Sequence, residues 1–178
     1  MFRLYTEEQK MLPFEDYAIL LEEAKGCKSA LEFGPGISTL ALLEAGVGLI
    51  DTLEYNPKYA KLSRENFAQY KQVSVYDYEN KPELFDLTSQ HTRGILKYDV
   101  AFVDSPIGSP GKGWDKLPGQ EHLARYNTVL YAVTQAKKTL LHDAHRPGEQ
   151  ATLDAMAQLG YTYEIRDTKK GMAIIYDK

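Results

Sequence analysis

Two acids and a pair of glycines set the first chemical expectation for this chain. The stretch Leu31-Glu32-Phe33-Gly34-Pro35-Gly36-Ile37-Ser38-Thr39 leads from an apolar run into a glycine-rich turn. Glu54 follows Gly34 by twenty residues and closes a second apolar run. A strand, a glycine turn, a helix and then an acid at the end of the next strand can hold a nucleoside, with the acid on the ribose hydroxyls. Gly34 and Gly36 allow a sharp turn and close backbone approach to a ligand, and Pro35 stiffens the loop between them. Ser38 and Thr39 open a helix whose free N–H groups face the bound molecule. A tight strand-to-helix turn without a ligand is the plain alternative, and the spacing to Glu54 argues against it.

A second group of polar residues gathers further along. Asp104 ends the run Tyr98-Asp99-Val100-Ala101-Phe102-Val103, and Asp143 stands in Leu140-Leu141-His142-Asp143-Ala144-His145-Arg146. Asp104, Asp143 and His145 are the candidates for taking a proton from a hydroxyl or amine nucleophile. The structural alternative is that Asp143 satisfies backbone donors near the next helix and pairs with Arg146. Asp77, after a third strand, is placed to accept from an adenine amino group, or is an ordinary turn residue. The glycine- and proline-rich segment between Pro106 and Gly119 interrupts regular structure and faces substrate over the sheet edge. Within it Lys112 and Trp114, together with Arg146, offer charge and a stacking face to an anionic sugar.

Which nucleoside binds is a question of charge. Glu32 at the loop entrance repels a pyrophosphate and attracts an ammonium group. A dinucleotide also favours Gly or Ala where Thr39 stands. S-adenosylmethionine carries an ammonium and a sulfonium and no phosphate. The residues Glu32-x-Gly34-x-Gly36-x-Ser38 resemble the first motif of class I S-adenosylmethionine-dependent methyltransferases, and Glu54 resembles their ribose-binding acid. The resemblance implies a cofactor set of Glu32, Gly34, Gly36, Ser38, Thr39, Glu54 and Asp77, with Asp104 at its border. Catechol-type O-methyltransferases bind magnesium through aspartates at the strand ends that Asp104 and Asp143 occupy, which implies a divalent metal there. Their motif has Asn directly after the second aspartate, where this chain has Ala144. Val103-Asp104-Ser105-Pro106-Ile107-Gly108 is also similar to the Asp-Ala-Pro-x-Gly segment of glucuronoxylan O-methyltransferases. No aromatic follows Pro106, which separates it from the signature of DNA amino-group methyltransferases and favours an oxygen nucleophile.

The elements that must position these residues follow from periodicity. Phe14, Tyr17, Ala18, Leu21 and Ala24 recur at helical spacing, predicting a helix over 14–25 with that face inward. Strands are expected at 29–33, 48–54, 72–76, 98–104, 139–144, 161–166 and 171–176. Helices are expected at 37–45, 57–69, 120–135 and 147–159, with a short one at 82–88. The last two strands are joined by so short a turn that they must be antiparallel. The reading is an α/β fold, a doubly wound three-layer sandwich whose seven-stranded, mostly parallel sheet ends in an antiparallel C-terminal strand. In class I methyltransferases, which the element order resembles throughout, that strand inserts between the fifth and sixth.

Composition narrows the rest. The chain has 178 residues, 43% of them hydrophobic, which suits one domain burying roughly 70% of its unfolded surface. Its net charge is −4 with the basic residues dispersed, so general nucleic-acid binding is not expected. One cysteine, no leader-like N-terminus and no long apolar window point to a cytoplasmic protein outside the membrane. A homo-oligomer built on apolar terminal strands is compatible with this. The leading expectation is S-adenosylmethionine-dependent O-methylation of a small molecule or carbohydrate. Its rivals are an aminopropyltransferase-like enzyme, a non-catalytic cofactor- or partner-binding protein on the same fold, and a dinucleotide-dependent oxidoreductase.

Overall fold

A computed structural model describes residues 12–78, 97–105, 119 and 121–177. The expected helix at 82–88 and the candidates Lys112 and Trp114 lie outside the described residues. In chain order the elements are α1 (Phe14–Ala24), β1 (Ser29–Phe33), α2 (Ile37–Glu44), β2 (Leu49–Glu54), α3 (Pro57–Phe67), β3 (Val73–Asp77) and β4 (Val100–Val103). Then come α4 (Tyr126–Gln135), β5 (Lys138–His142), α5 (Pro147–Gln158), β6 (Thr162–Arg166) and β7 (Met172–Tyr176).

The strands form one sheet in the order β3-β2-β1-β4-β5-β7-β6. The first five are parallel, and β7 runs antiparallel to both β5 and β6. This is the doubly wound sheet with an inserted antiparallel strand expected from the sequence. Its order reverses at β1, so the carboxyl ends of β1 and β4 flank the crevice where ligands of such sheets bind.

Every residue of β1 and β4 is buried, because helices cover both sheet faces. One face packs Leu31, Phe33, Leu53, Val103 and Leu141 against Val129 and Val133 of α4 and Leu153 and Met156 of α5. The other packs Ala30, Ile50, Phe102, Leu140 and Ile174 against Leu20 of α1 and Leu42 of α2. Strand alternation fixes what stands above that second face. Glu32 follows Ala30, Asp104 follows Phe102 and His142 follows Leu140, each by two residues, so all three point to the α1 and α2 side.

The inward face of α1 differs from the one the spacing suggested. Phe14 is 84% exposed, whereas Asp16, Leu20 and Ala24 are fully buried. A pattern of apolar residues treats an aspartate as an outward position. Here Asp16 has partners inside, His142 and Thr168, and these offset the cost of burying its charge.

Two segments are also shorter than expected, for a physical reason. The helix expected from 120 begins only at Tyr126, behind Arg125, whose φ of 58° is left-handed. The strand expected to reach 144 stops at His142, because Asp143 turns the chain at φ 63°. Non-glycine residues in this region cluster at functional sites.

Candidate functional site

The glycine turn after β1 depends on Gly34. Its φ is +94°, its N–H donates to the Leu53 carbonyl at 2.9 Å, and a Cβ there would lie 3.0 Å from that of Ser105. The absence of a side chain lets the turn pack against the segment leaving β4. Gly36 is different: its φ of 175° is ordinary extended backbone, and a Cβ there would meet nothing within 4 Å. Its smallness leaves open space beside the loop.

Glu32 lies beneath this loop. It is fully buried, with one carboxylate oxygen accepting from the Ser38 hydroxyl at 2.6 Å and the other from Thr39 at 2.7 Å. The Thr39 hydroxyl oxygen also accepts the Gly36 N–H at 3.0 Å. The three side chains thus lock the turn to the first turn of α2, and Glu32 acts on a ligand through its field. Burial pushes its carboxyl up to about 7, against the lowering effect of the Ser38 and Thr39 hydrogen bonds.

Glu54 ends β2 directly beside Asp77, its partner in the β2–β3 register. It accepts the Asn56 N–H at 2.8 Å. Its carboxyl is also pushed up to about 7, first by burial and further by the charges of Asp77 and Asp104, although backbone hydrogen bonds oppose this. In this half of the carboxyl edge Glu32 and Glu54 are thus buried acids that no ion pair reaches among the described residues, which favours a cationic ligand over a phosphate.

The other half is organised around Arg125, a residue the sequence reading did not single out. Its side chain is 3% exposed. Nη1 donates to the His142 carbonyl at 3.0 Å, while Nη2 lies 3.2 Å from Asp104 Oδ1 and 3.3 Å from Asp143 Oδ2. Nε faces Glu149 Oε1 at 3.7 Å. The chain before Arg125 is pinned to α5: Ala124 donates to the Gly148 carbonyl at 3.1 Å and accepts from the Thr152 hydroxyl at 2.7 Å.

His142 stands between two carboxylates, with Nδ1 3.0 Å from Asp104 and Nε2 3.2 Å from Asp16. The carboxylates on either side of the ring favour its protonated form. Its pKa is raised accordingly: burial works against the charge, but the Asp104 hydrogen bond and the charges of Asp104, Asp143 and Asp16 outweigh it. Burial also disfavours the charged form of Asp104, yet His142, Arg125 and Lys170 hold its carboxyl below the ordinary range. Both contacts to Asp104 fall on Oδ1, and its side chain remains 32% exposed.

The remaining candidates separate. Asp143 is enclosed, paired with Arg146 at 2.8 Å and approached by Lys170 at 3.8 Å; Arg146 is thus committed to Asp143. His145 is 39% exposed, bonds Asp167 at 3.2 Å and packs against Gly171 in the β6–β7 turn, apart from the Asp104 group. Asp104, His142 and Asp143 can present ligand atoms within 4.8 Å of one another, as a metal would need. The Arg125 guanidinium, however, bridges the two aspartates. Asp16, which the sequence reading also passed over, stands one turn before Leu20 and two before Ala24, the spacing that places it on the buried face. Arg125 had no local signal, because its partners come from three distant segments.

No family model and no curated protein matches this sequence. Solved structures do. A precorrin-6y C5,15-methyltransferase from Geobacter metallireducens superposes with a TM-score of 0.67 at 14% identity, over 99% of this chain and 95% of that one. The O-methyltransferase TomG of Streptomyces achromogenes, in complex with SAM, gives 0.65 at 14% identity over 94% and 82%. The SAH-bound methyltransferase PaMTH1 of Podospora anserina gives 0.63 at 20% identity over 98% and 82%. The chain has the Rossmann-like fold of class I S-adenosylmethionine-dependent methyltransferases, and no described helix is long and apolar enough to cross a membrane.

Proposed function

We propose that this protein is an S-adenosylmethionine-dependent methyltransferase that methylates an oxygen of a small molecule or carbohydrate in the cytoplasm. One observation carries the reading. The acids around the glycine turn, Glu32 and Glu54, are buried without a cationic partner among the described residues, and their carboxyls are pushed up to about 7. A ligand bearing an ammonium and a sulfonium supplies the missing charge, and a dinucleotide adds more of the wrong sign.

In this reading Glu54 accepts the ribose hydroxyls, Asp77 the adenine amino group, and the Gly34 to Gly36 backbone passes beside the methionine portion. Asp104 is the catalytic base. Its Oδ1 is held by His142 and Arg125, which leaves Oδ2 to take the proton of the acceptor hydroxyl. As that proton moves to Asp104, the oxygen forms a bond to the methyl carbon and the S–CH3 electron pair passes to sulfur, giving S-adenosylhomocysteine. Asp143 is the counter-ion that keeps Arg125 and Arg146 in place. Lys112 and Trp114 remain the proposed acceptor contacts.

The test is formation of S-adenosylhomocysteine with a panel of hydroxyl acceptors that includes uronic acids, phenols and simple alcohols. Acceptor-dependent product supports the reading. Cofactor binding without product from any acceptor sinks the enzymatic part of it and leaves a binding protein on this fold.

A further inference from the structure

We infer that Arg125 takes the place of a divalent cation between Asp104 and Asp143, so that methyl transfer here needs no metal and Arg125 is the positioning residue that fixes Asp104. The inference rests on the methyltransferase reading for its catalytic consequence, but its structural part stands on geometry alone.

A metal shared by two strand-end aspartates bridges one oxygen from each and balances their charge. Arg125 Nη2 already bridges those oxygens, at 3.2 Å from Asp104 Oδ1 and 3.3 Å from Asp143 Oδ2, and Arg146 adds a second positive charge on Asp143. Nη1 donates to the His142 carbonyl, and Nε faces Glu149 Oε1 at 3.7 Å, beyond hydrogen-bond distance. With its side chain 3% exposed, Arg125 is not poised to reach out to a substrate. The cationic side chains already gathered here disfavour a dication. Around Asp16, Asp104 and Asp143 stand Arg125, His142, Arg146 and Lys170, and burial disfavours the charged form of Glu149 beside them. A metal between the two aspartates would have to displace the guanidinium from these contacts.

The backbone indicates that this placement is maintained against resistance. Arg125 is left-handed, φ 58° and ψ 20°, a conformation that L residues other than Asn and Asp seldom adopt. An arginine persists there because its side chain is held at the far end. The catalytic consequence follows directly. Arg125 fixes Oδ1 of Asp104 and keeps the group ionised, while Oδ2 accepts the acceptor's proton as the C–O bond forms and the S–CH3 bond breaks. A fixed cation replaces an exchangeable one.

The left-handed backbone also supplies a suitable variant. Glycine adopts φ 58° without cost, so Arg125→Gly removes the guanidinium while relieving the backbone. The experiment titrates Mn2+ into the full-length protein and follows the free-ion paramagnetic resonance signal, with circular dichroism confirming the fold. The wild type is expected to leave the signal unchanged through the micromolar range, and its turnover is expected to be the same in chelator and in magnesium. R125G is expected to bind Mn2+, and R125G combined with D143N to lose that binding.

Stoichiometric Mn2+ capture by the wild type, abolished by D143N, would overturn the inference. So would a folded R125G that binds none, since Arg125 would then be structural only. If R125G does not fold, the wild-type titration still decides. Failure of the methyltransferase reading would appear separately, as absence of S-adenosylmethionine binding, and would leave the Mn2+ result intact.

Discussion

The two halves of the carboxyl edge carry acids of opposite habit. Around the glycine turn, Glu32 and Glu54 are buried without an ion-pair partner among the described residues, and their carboxyls rise to about 7. At the ends of β4 and β5, Asp104 and Asp143 are surrounded by Arg125, Arg146, His142 and Lys170, and the Asp104 carboxyl is held below its ordinary range. Carboxylates along one sheet edge are left without an ion pair among the described residues in one half and are paired in the other. In our account the first half waits for a cationic cofactor, and the second keeps a base ionised and aimed. Desolvation acts on both, and what separates them is whether the chain itself provides the counter-charge.

The sharpest way to break the comparison is to remove the base from the compensated half. Asp104→Asn is expected to lower turnover by about 10²- to 10⁴-fold, the usual worth of a positioned general base, while leaving S-adenosylmethionine affinity nearly unchanged. Single-turnover kinetics with a calorimetric titration checks both. A variant that loses cofactor affinity instead would merge the two halves into one site.

Glu54→Ala tests the other half. Charge-assisted hydrogen bonds are worth roughly 1.5–3 kcal/mol, so the dissociation constant for S-adenosylmethionine is expected to rise by about 10- to 10²-fold. Unchanged affinity in a folded variant would remove Glu54 from the cofactor site.

A smaller effect is carried by pH. The ribose hydroxyls donate to the ionised Glu54, so protonation competes with the cofactor. Because burial and the charges of Asp77 and Asp104 set the free protein's carboxyl at about 7, affinity should be level above that pH. Below it, affinity should fall towards tenfold per unit. Calorimetry across pH 5.5 to 8.5, an interval of about 1.5 units on either side, measures the slope. E54Q should make the profile shallower, leaving the part that Glu32 contributes, and an unchanged slope in E54Q would assign the titration elsewhere.

The smallest expected effect is at His145. It lies at the β6–β7 turn, 39% exposed and bonded to Asp167, so His145→Ala should change turnover by less than about twofold, as surface substitutions generally do. A large loss in steady-state rate would extend the compensated half to that turn.

How much of this was legible in the sequence depended on whether the signal was local. The sheet order followed from apolar runs, from connection lengths, and from the turn at Asp167 to Lys170 that forces β6 and β7 to be antiparallel. The glycine turn and Glu54 were visible because strand, turn and acid recur at fixed spacing. The inward face of α1 was misread, since Asp16 breaks the apolar pattern and is tolerated only because His142, 126 residues away, meets it. Arg125 was invisible for the same reason. Its place is set by Asp104, Asp143 and Glu149, none of them neighbours in sequence. Glu32 was recognised as part of the turn, but its direction was not, because that depends on where the Ser38 and Thr39 hydroxyls point once α2 has formed.

The central claim is that the uncompensated half binds a cationic nucleoside cofactor. Its most direct test is calorimetric titration of the full chain with S-adenosylmethionine, in parallel with NAD and NADP. The account predicts micromolar, single-site binding of S-adenosylmethionine and none of either dinucleotide. Dinucleotide binding, or no response to S-adenosylmethionine by a folded protein, would contradict it.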